Sequence, residues 1–138
     1  MRVIVVGLGV QGNKRREHAG EDYVASVDPN NSEADFNDIR DVNLDTYDAV
    51  LACVPDKPKI ELLRYCVDHK KHVLVEKPIT LDSKEAKDLN RLAKQNDVVL
   101  MVGHLLLFHP AFIKMKELIQ DGKIGKIQYI YSNRLNLG

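Results

Sequence analysis

The sequence contains no tryptophan, only two cysteines, no net charge and no hydrophobic run long enough to cross a bilayer. Each absence excludes something. Twenty Lys and Arg offset twenty Asp and Glu, so no global field gathers nucleic acid or an acidic membrane surface. Cys53 and Cys66 are too few for a disulfide framework and lack the paired spacing of a zinc site, which predicts reduced thiols in a cytoplasmic protein. The longest nearly apolar stretch, Val98 to Phe108, is interrupted by His104 and falls short of the ~18 residues that span a membrane. The apolar N-terminus carries one preceding cation, two internal glycines and no small-residue cleavage site, so it reads as a strand and not a signal peptide. No metal is expected: His69 and His72 are separated by two lysines, with no third ligand in reach of the pattern. At 138 residues there is room for one core and not for two catalytic domains. What is present, 44% hydrophobic and 29% charged residues, is the composition of a packed globular chain.

Apolar runs alternate with helical stripes along the chain. Met1 to Val6, Tyr23 to Val27, Tyr47 to Val54, His72 to Val75 and Val98 to Val102 read as strands, short and β-branched as buried parallel strands are. Helices are predicted from Gly12 to His18, after Asp56 as a cap, from an Asp82-Ser83-Lys84-Glu85 capping box, and from Pro110 to Gln120 with Gly122 as the stop. Ile60, Leu63, Cys66 and Val67 have helical spacing, as do Ala86, Leu89, Leu92 and Ala93. The polar stretch from Asn30 to Thr46 reads mostly as loop. Strand and helix in alternation predict an α/β fold, a doubly wound parallel sheet of the Rossmann type. The expected organisation is a dinucleotide-binding domain over 1–121, with 122–138 as a linker and the first strand of a second α/β domain. That strand, Lys126 to Tyr131, alternates Ile127, Tyr129 and Tyr131 with Lys126, Gln128 and Ile130. An unpaired strand is a template for association, so a homo-oligomer is expected.

The strongest motif is Gly7-Leu8-Gly9-Val10-Gln11-Gly12, a G-x-G-x-x-G between a strand and a helix. Gly7 permits the tight turn, Gly9 admits a pyrophosphate to the backbone, and Gly12 lets the helix pack on its strand. Amides near Val10 and Gln11, with the positive end of the helix, suit an anion. Asp28 closes the second strand sixteen positions after Gly12, where a carboxylate accepts from both adenosine ribose hydroxyls and repels a 2′-phosphate, so NAD is expected over NADP. Lys14, Arg15 and Arg16 either help neutralise the pyrophosphate or form a solvated face. Glu76-Lys77-Pro78 lies at the carboxyl end of a strand, where open parallel sheets place ligands. Lys77 there can reach a nicotinamide and shuttle a proton, with Glu76 orienting it. His104, after the last strand, either faces the cofactor or packs at the core rim.

The glycine turn, Asp28, the Cys53-Val54-Pro55 strand end, Glu76-Lys77-Pro78 and Val102-Gly103-His104 resemble, in order, the N-terminal domain of the glucose-fructose oxidoreductase, inositol dehydrogenase and rhizopine-catabolism (Gfo/Idh/MocA) family. The resemblance implies NAD(P)-dependent hydride transfer at a carbon of a sugar, sugar phosphate, cyclitol or nucleotide-linked sugar. It implies Lys77 in the role of catalytic lysine and Cys53 to Pro55 along the nicotinamide. Val102 through Tyr131-Ser132-Asn133-Arg134 is similar to members acting on nucleotide-linked amino sugars. Members of the family run to more than twice this length, with a second α/β domain that carries most of the substrate site and a histidine, usually in an Asp-x-x-x-His pattern, as acid or base. The 138 residues alone are therefore expected to bind dinucleotide without turnover. A noncatalytic NAD-binding module, a cofactor sensor or scaffold, is the competing class; a methyltransferase would share the glycine turn but gives Glu76-Lys77-Pro78 no purpose. No Tyr-x-x-x-Lys, phosphate-loop or nucleophile-elbow motif occurs.

Overall fold

Val3–Val6, Tyr23–Val27, Ala49–Ala52, His72–Val75 and Leu100–Val102 form strands β1 to β5 of one parallel sheet in the order β2-β1-β3-β4-β5. The computed structural model describes residues 1–133 and 135. Val3 to Val6 of β1 pair with Tyr23 to Val27 on one side and with Ala49 to Ala52 on the other. All four are buried, as a central parallel strand requires. Helix α1 (Val10–Ala19) joins β1 to β2 in one direction across the sheet. Helices α2 (Asp56–Asp68) and α3 (Ser83–Gln95) carry β3 to β4 to β5 in the other. Right-handed crossovers running in opposite directions place their helices on opposite faces, and the chain parts between the ends of β1 and β3. That switch point is where such sheets open a crevice.

The main core lies under α2 and α3. Leu62, Leu63 and Cys66 of α2 and Leu89 of α3 cluster with Ile4, Val6, Val50, Ala52, Val73 and Val75. Of the predicted stripes, Leu63, Cys66, Val67, Leu89 and Ala93 are buried, whereas Ile60, Ala86 and Leu92 are half-buried, and Leu62 adds a buried residue the stripe did not include. The segment from Asn30 to Thr46 holds no strand; two 3-10 turns, Ile39–Asp41 and Leu44–Thr46, and one bridge from Phe36 to Val27 carry it past β2. Asp35 fixes its first half, accepting from the Ser26 amide and hydroxyl at 2.8 Å each and from the Tyr23 hydroxyl at 3.0 Å. These bonds hold its carboxyl below the usual range.

Several local expectations are corrected. Helix α1 begins at Val10 and not at Gly12. Asp56 does not cap α2: it is the first helical residue, behind Pro55, and spends its carboxylate on Lys59 at 2.6 Å. At α3 the Asp82 carboxylate caps the Lys84 amide at 2.7 Å as expected. Glu85, however, reaches the Asp82 amide only through Thr80, whose hydroxyl donates to Glu85 at 2.7 Å and accepts from Asp82 N at 3.1 Å. His69 Nδ1 lies 2.8 Å from the Tyr65 carbonyl and His72 Nδ1 accepts the Val99 amide at 3.0 Å, so both rings serve the backbone.

Contacts divide the chain into Met1–Gly103 and His104–Gly138. The second unit contains a 3-10 turn, Leu105–Phe108, and helix α4 (Pro110–Gln120). Pro110 occupies the first helical turn, His109 Nδ1 accepts the Ala111 amide at 3.2 Å, and Gly122 leaves the helix at φ +68°. Lys126 to Tyr131, expected as a strand, forms none; no second strand lies among the described residues of this unit to complete its ladder. Arg134 of the quoted Tyr131-to-Arg134 stretch lies outside the described residues. No described helix is long and apolar enough to cross a membrane.

Leu63 is fully buried between α2 and the sheet. Leu63→Ala is expected to lower stability by about 2–5 kcal/mol, read from the urea midpoint at unchanged slope. A loss under about 1 kcal/mol would place the core elsewhere.

Candidate functional site

The glycine turn is built by two close approaches. Gly7 has φ +91°, and a Cβ there would lie 2.6 Å from the Cys53 carbonyl oxygen. At Gly12 a Cβ would lie 1.8 Å from the Gly7 carbonyl oxygen, so α1 seats directly on the end of β1. Gly9 is different: nothing lies within 4 Å of where its Cβ would be. Its extended backbone opens α1 with no side-chain cap and no acidic residue in the first turn. The positive end of α1 is thus left without a protein anion.

Asp28 ties this turn to the end of β2. One carboxylate oxygen accepts the Leu8 amide at 2.7 Å and the other the Asn30 amide at 2.9 Å. The Gly7 amide donates to Val27 O at 2.8 Å, and Asn13 Nδ2 donates to Leu8 O at 3.0 Å. Each carboxylate oxygen accepts two bonds or more, so Asp28 keeps capacity for further donors.

A cleft of about 750 Å³ opens over these strand ends. It brings together Gly7, Gly9, Gln11, Asp28, Cys53, Val54, Pro55 and Glu76. Val10 is exposed beside it, and Gly12 is buried beneath the turn. Lys77 is exposed and lines no part of the cleft, although its neighbour Glu76 does. His104 is the exposed first residue of the second unit. Pro29, Asn30, Lys57 and Pro58 also line the cleft and carry no motif that sequence reasoning reads.

Glu76 does not orient Lys77. Its Oε1 accepts from Arg15 Nη2 at 2.7 Å and Nε at 3.1 Å, a forked ion pair whose side chains are 19% and 23% exposed. Of the three cations on α1, Arg15 alone is thereby explained, as a tie between α1 and the end of β4 and not as a phosphate ligand. Cys53 sits beside this pair. Burial, with the Glu76 carboxylate adding and Arg15 opposing, pushes its thiol up to about 11, so it is a neutral wall and not a nucleophile.

Sequence reasoning missed Lys59. Its ammonium is 3% exposed and donates at 2.6 Å both to Asp56 and to the carbonyl of Pro78, whose peptide bond with Lys77 is cis. The only available signal was a lysine on the inward stripe between Asp56 and Leu63.

Residues 1–104 match the family described as "Oxidoreductase family, NAD-binding Rossmann fold". The chain is 29% identical over 143 residues to 2,7-anhydro-N-acetylneuraminate hydratase of Mediterraneibacter gnavus, covering 94% of this chain and 38% of that protein. It is 38% identical over 88 residues to myo-inositol 2-dehydrogenase of Thermotoga maritima, covering 64% of this chain and 25% of that protein. The structure of UDP-N-acetylglucosamine 3-dehydrogenase from Acidithiobacillus ferrooxidans superposes with a TM-score of 0.77 at 26% identity, over 85% of this chain and 42% of that one. The chain spans well under half the length of each. The family is one of oxidoreductases and two of the three relatives are named dehydrogenases, which favours the oxidoreductase reading over a noncatalytic module.

The glycines separate by experiment. Gly12→Ala is expected to destabilise by about 1–3 kcal/mol or more through overpacking, read as a lower Tm. Gly9→Ala is expected to leave Tm nearly unchanged and weaken NAD binding roughly tenfold or more, about 1.4 kcal/mol, by calorimetry. Unaltered NAD affinity in Gly9→Ala would remove the glycine turn from the site.

Proposed function

The chain belongs to the oxidoreductase family with the NAD-binding Rossmann fold, and from that premise we propose that its cleft holds NAD(H) for hydride transfer to or from a sugar, cyclitol or nucleotide-linked sugar. The observation that carries the reading is Asp28, a carboxylate at the end of β2 that lines the cleft and is bonded to the glycine turn. The residues fit the group. The uncapped start of α1 with open space over Gly9 suits a pyrophosphate, and Asp28 suits the adenosine ribose diol. Gly7, Gly9, Val10, Gln11, Gly12 and Asp28 would hold the adenosine diphosphate half. Cys53, Val54, Pro55 and Glu76 would flank the nicotinamide half. Bound there, the nicotinamide supplies hydride acceptance or donation.

Lys77 would move the proton. When the substrate carbon loses hydride, its hydroxyl proton passes to Lys77 Nζ, and in reduction Lys77 returns it to the carbonyl oxygen. The exposed side chain of Lys77 at the carboxyl end of β4 supports this role. A polyhydroxylated ring as substrate is supported by the names of the relatives, which act on an anhydro amino sugar, an inositol and a nucleotide-linked amino sugar. We assign residues 1–121 to the dinucleotide-binding domain and 122–138 to the approach to a substrate domain. In this reading the protein is cytoplasmic, consistent with its two free cysteines, and a homo-oligomer.

Calorimetry with both cofactors tests the assignment. NAD is expected to bind at least about tenfold tighter than NADP, because Asp28 gains two hydroxyl donors from one and meets a phosphate dianion in the other. Equal or tighter NADP binding would overturn it. The 138 residues are expected to bind NAD without oxidising sugars, and robust sugar oxidation by them alone would overturn the division of labour.

A further inference from the structure

Lys59 is the one charged side chain buried in the described sheet domain, and its position makes the burial informative. An ammonium withdrawn from water costs several kcal/mol unless acceptors replace its hydration. A methionine of nearly the same volume would fill most of the space without that cost. The two acceptors that replace water here belong to two different segments, the first turn of the helix that carries Lys59 and the turn after β4. Asp56 opens α2 immediately after the Cys53-Val54-Pro55 strand end, and Pro78 closes the Glu76-Lys77-Pro78 turn after β4. Lys59 therefore ties the first turn of α2, which follows the β3 strand end directly, to the turn after β4.

The consequence falls on Lys77. Its preceding residue is held through the side chain by Arg15 at 2.7 Å and through the amide by Ala52 O at 3.1 Å. Its following residue is held through the carbonyl by Lys59 at 2.6 Å. The Lys77 side chain itself is exposed and makes no hydrogen bond or ion pair among the described residues. A flexible four-carbon side chain thus rises from a backbone pinned on both sides. We propose that Lys59 is a positioning residue, whose buried ammonium holds the 76–80 turn in register with the β3 strand end so that Lys77 meets the nicotinamide half of the cofactor. The inference rests on the NAD reading of the cleft for its functional half and on geometry alone for its structural half. The requirement is a positive charge with at least two donors reaching both Asp56 and the Pro78 carbonyl. Lys59→Met keeps the volume and removes both bonds. Asp56→Asn, at a 59% exposed side chain, keeps the fold and weakens one bond.

Amide hydrogen exchange on wild type and both variants addresses the structural half without any ligand. In Lys59→Met, exchange at 76–80 is expected to accelerate at least about fivefold while β1 and β3 keep wild-type protection, and Asp56→Asn should show the same pattern more weakly. Unchanged exchange at 76–80, or equal acceleration through the sheet, overturns the proposal. If Lys59→Met does not fold, Asp56→Asn decides by the same criterion. Calorimetry with NAD and with ADP-ribose, which lacks the nicotinamide, addresses the functional half. Lys59→Met is expected to weaken NAD about three- to tenfold and ADP-ribose less than about twofold, the scale of one ordered loop. Equal weakening of both ligands, or of neither, overturns the positioning role. Wild type that binds neither ligand overturns the NAD reading instead, and exchange alone then judges the tether.

Discussion

The site rests on the approach of Gly12 to the carbonyl of Gly7, where a single added carbon would lie 1.8 Å from the oxygen. Because that carbon is missing, α1 starts within one turn of the end of β1 and directs its uncapped N-terminus over the strand ends. A bulkier residue would push the helix back and with it the first-turn amides, Asn13 on Leu8 and Arg15 on Glu76. The rest of the cleft is arranged around that helix end. β2 brings Asp28 to one side of it, and β3 and β4 bring Cys53 and Glu76 to the other.

Charges do a second kind of work near the cleft. Arg15 with Glu76, and Lys59 with the Pro78 carbonyl, each join segments that the parallel ladder leaves unconnected. Ladder bonds run between strands and stop where the strands stop, so loops beyond β3 and β4 need other anchors. Lower exposure leaves these ties less screened by water than a surface pair such as Arg40 with Asp38. Cys53 sits beside the tie of Arg15 to Glu76 as a neutral thiol, contributing volume and not charge to the cleft wall.

The strands and the glycine turn were legible because their signals are local. Tyr23 to Val27 and His72 to Val75 are bounded by turn residues and appear with those limits, and Pro110 and Gly122 bracket α4 as their backbone preferences dictate. Asp28 was legible for the same reason, as an acid closing a strand after a G-x-G-x-x-G. What was not legible depended on distant partners. Asp56 has the chemistry of a cap, yet Lys59 one turn later competes for its carboxylate and wins. Glu76 stands next to Lys77 in sequence and pairs with Arg15, sixty-one residues away. Lys126 to Tyr131 has the alternation of a strand, but alternation selects a face and only a neighbour supplies a ladder.

Asp28 serves two masters. The oxygen that would read the ribose also belongs to the carboxylate that holds the Leu8 amide at 2.7 Å. A lineage exchanging Asp28 for a small or cationic residue, to admit a phosphorylated ribose, would strip Leu8 of its acceptor in the same step. On the NAD reading proposed above, cofactor choice and the order of the glycine turn would therefore be coupled through one side chain, and a change of the first would call for a compensating acceptor for the second.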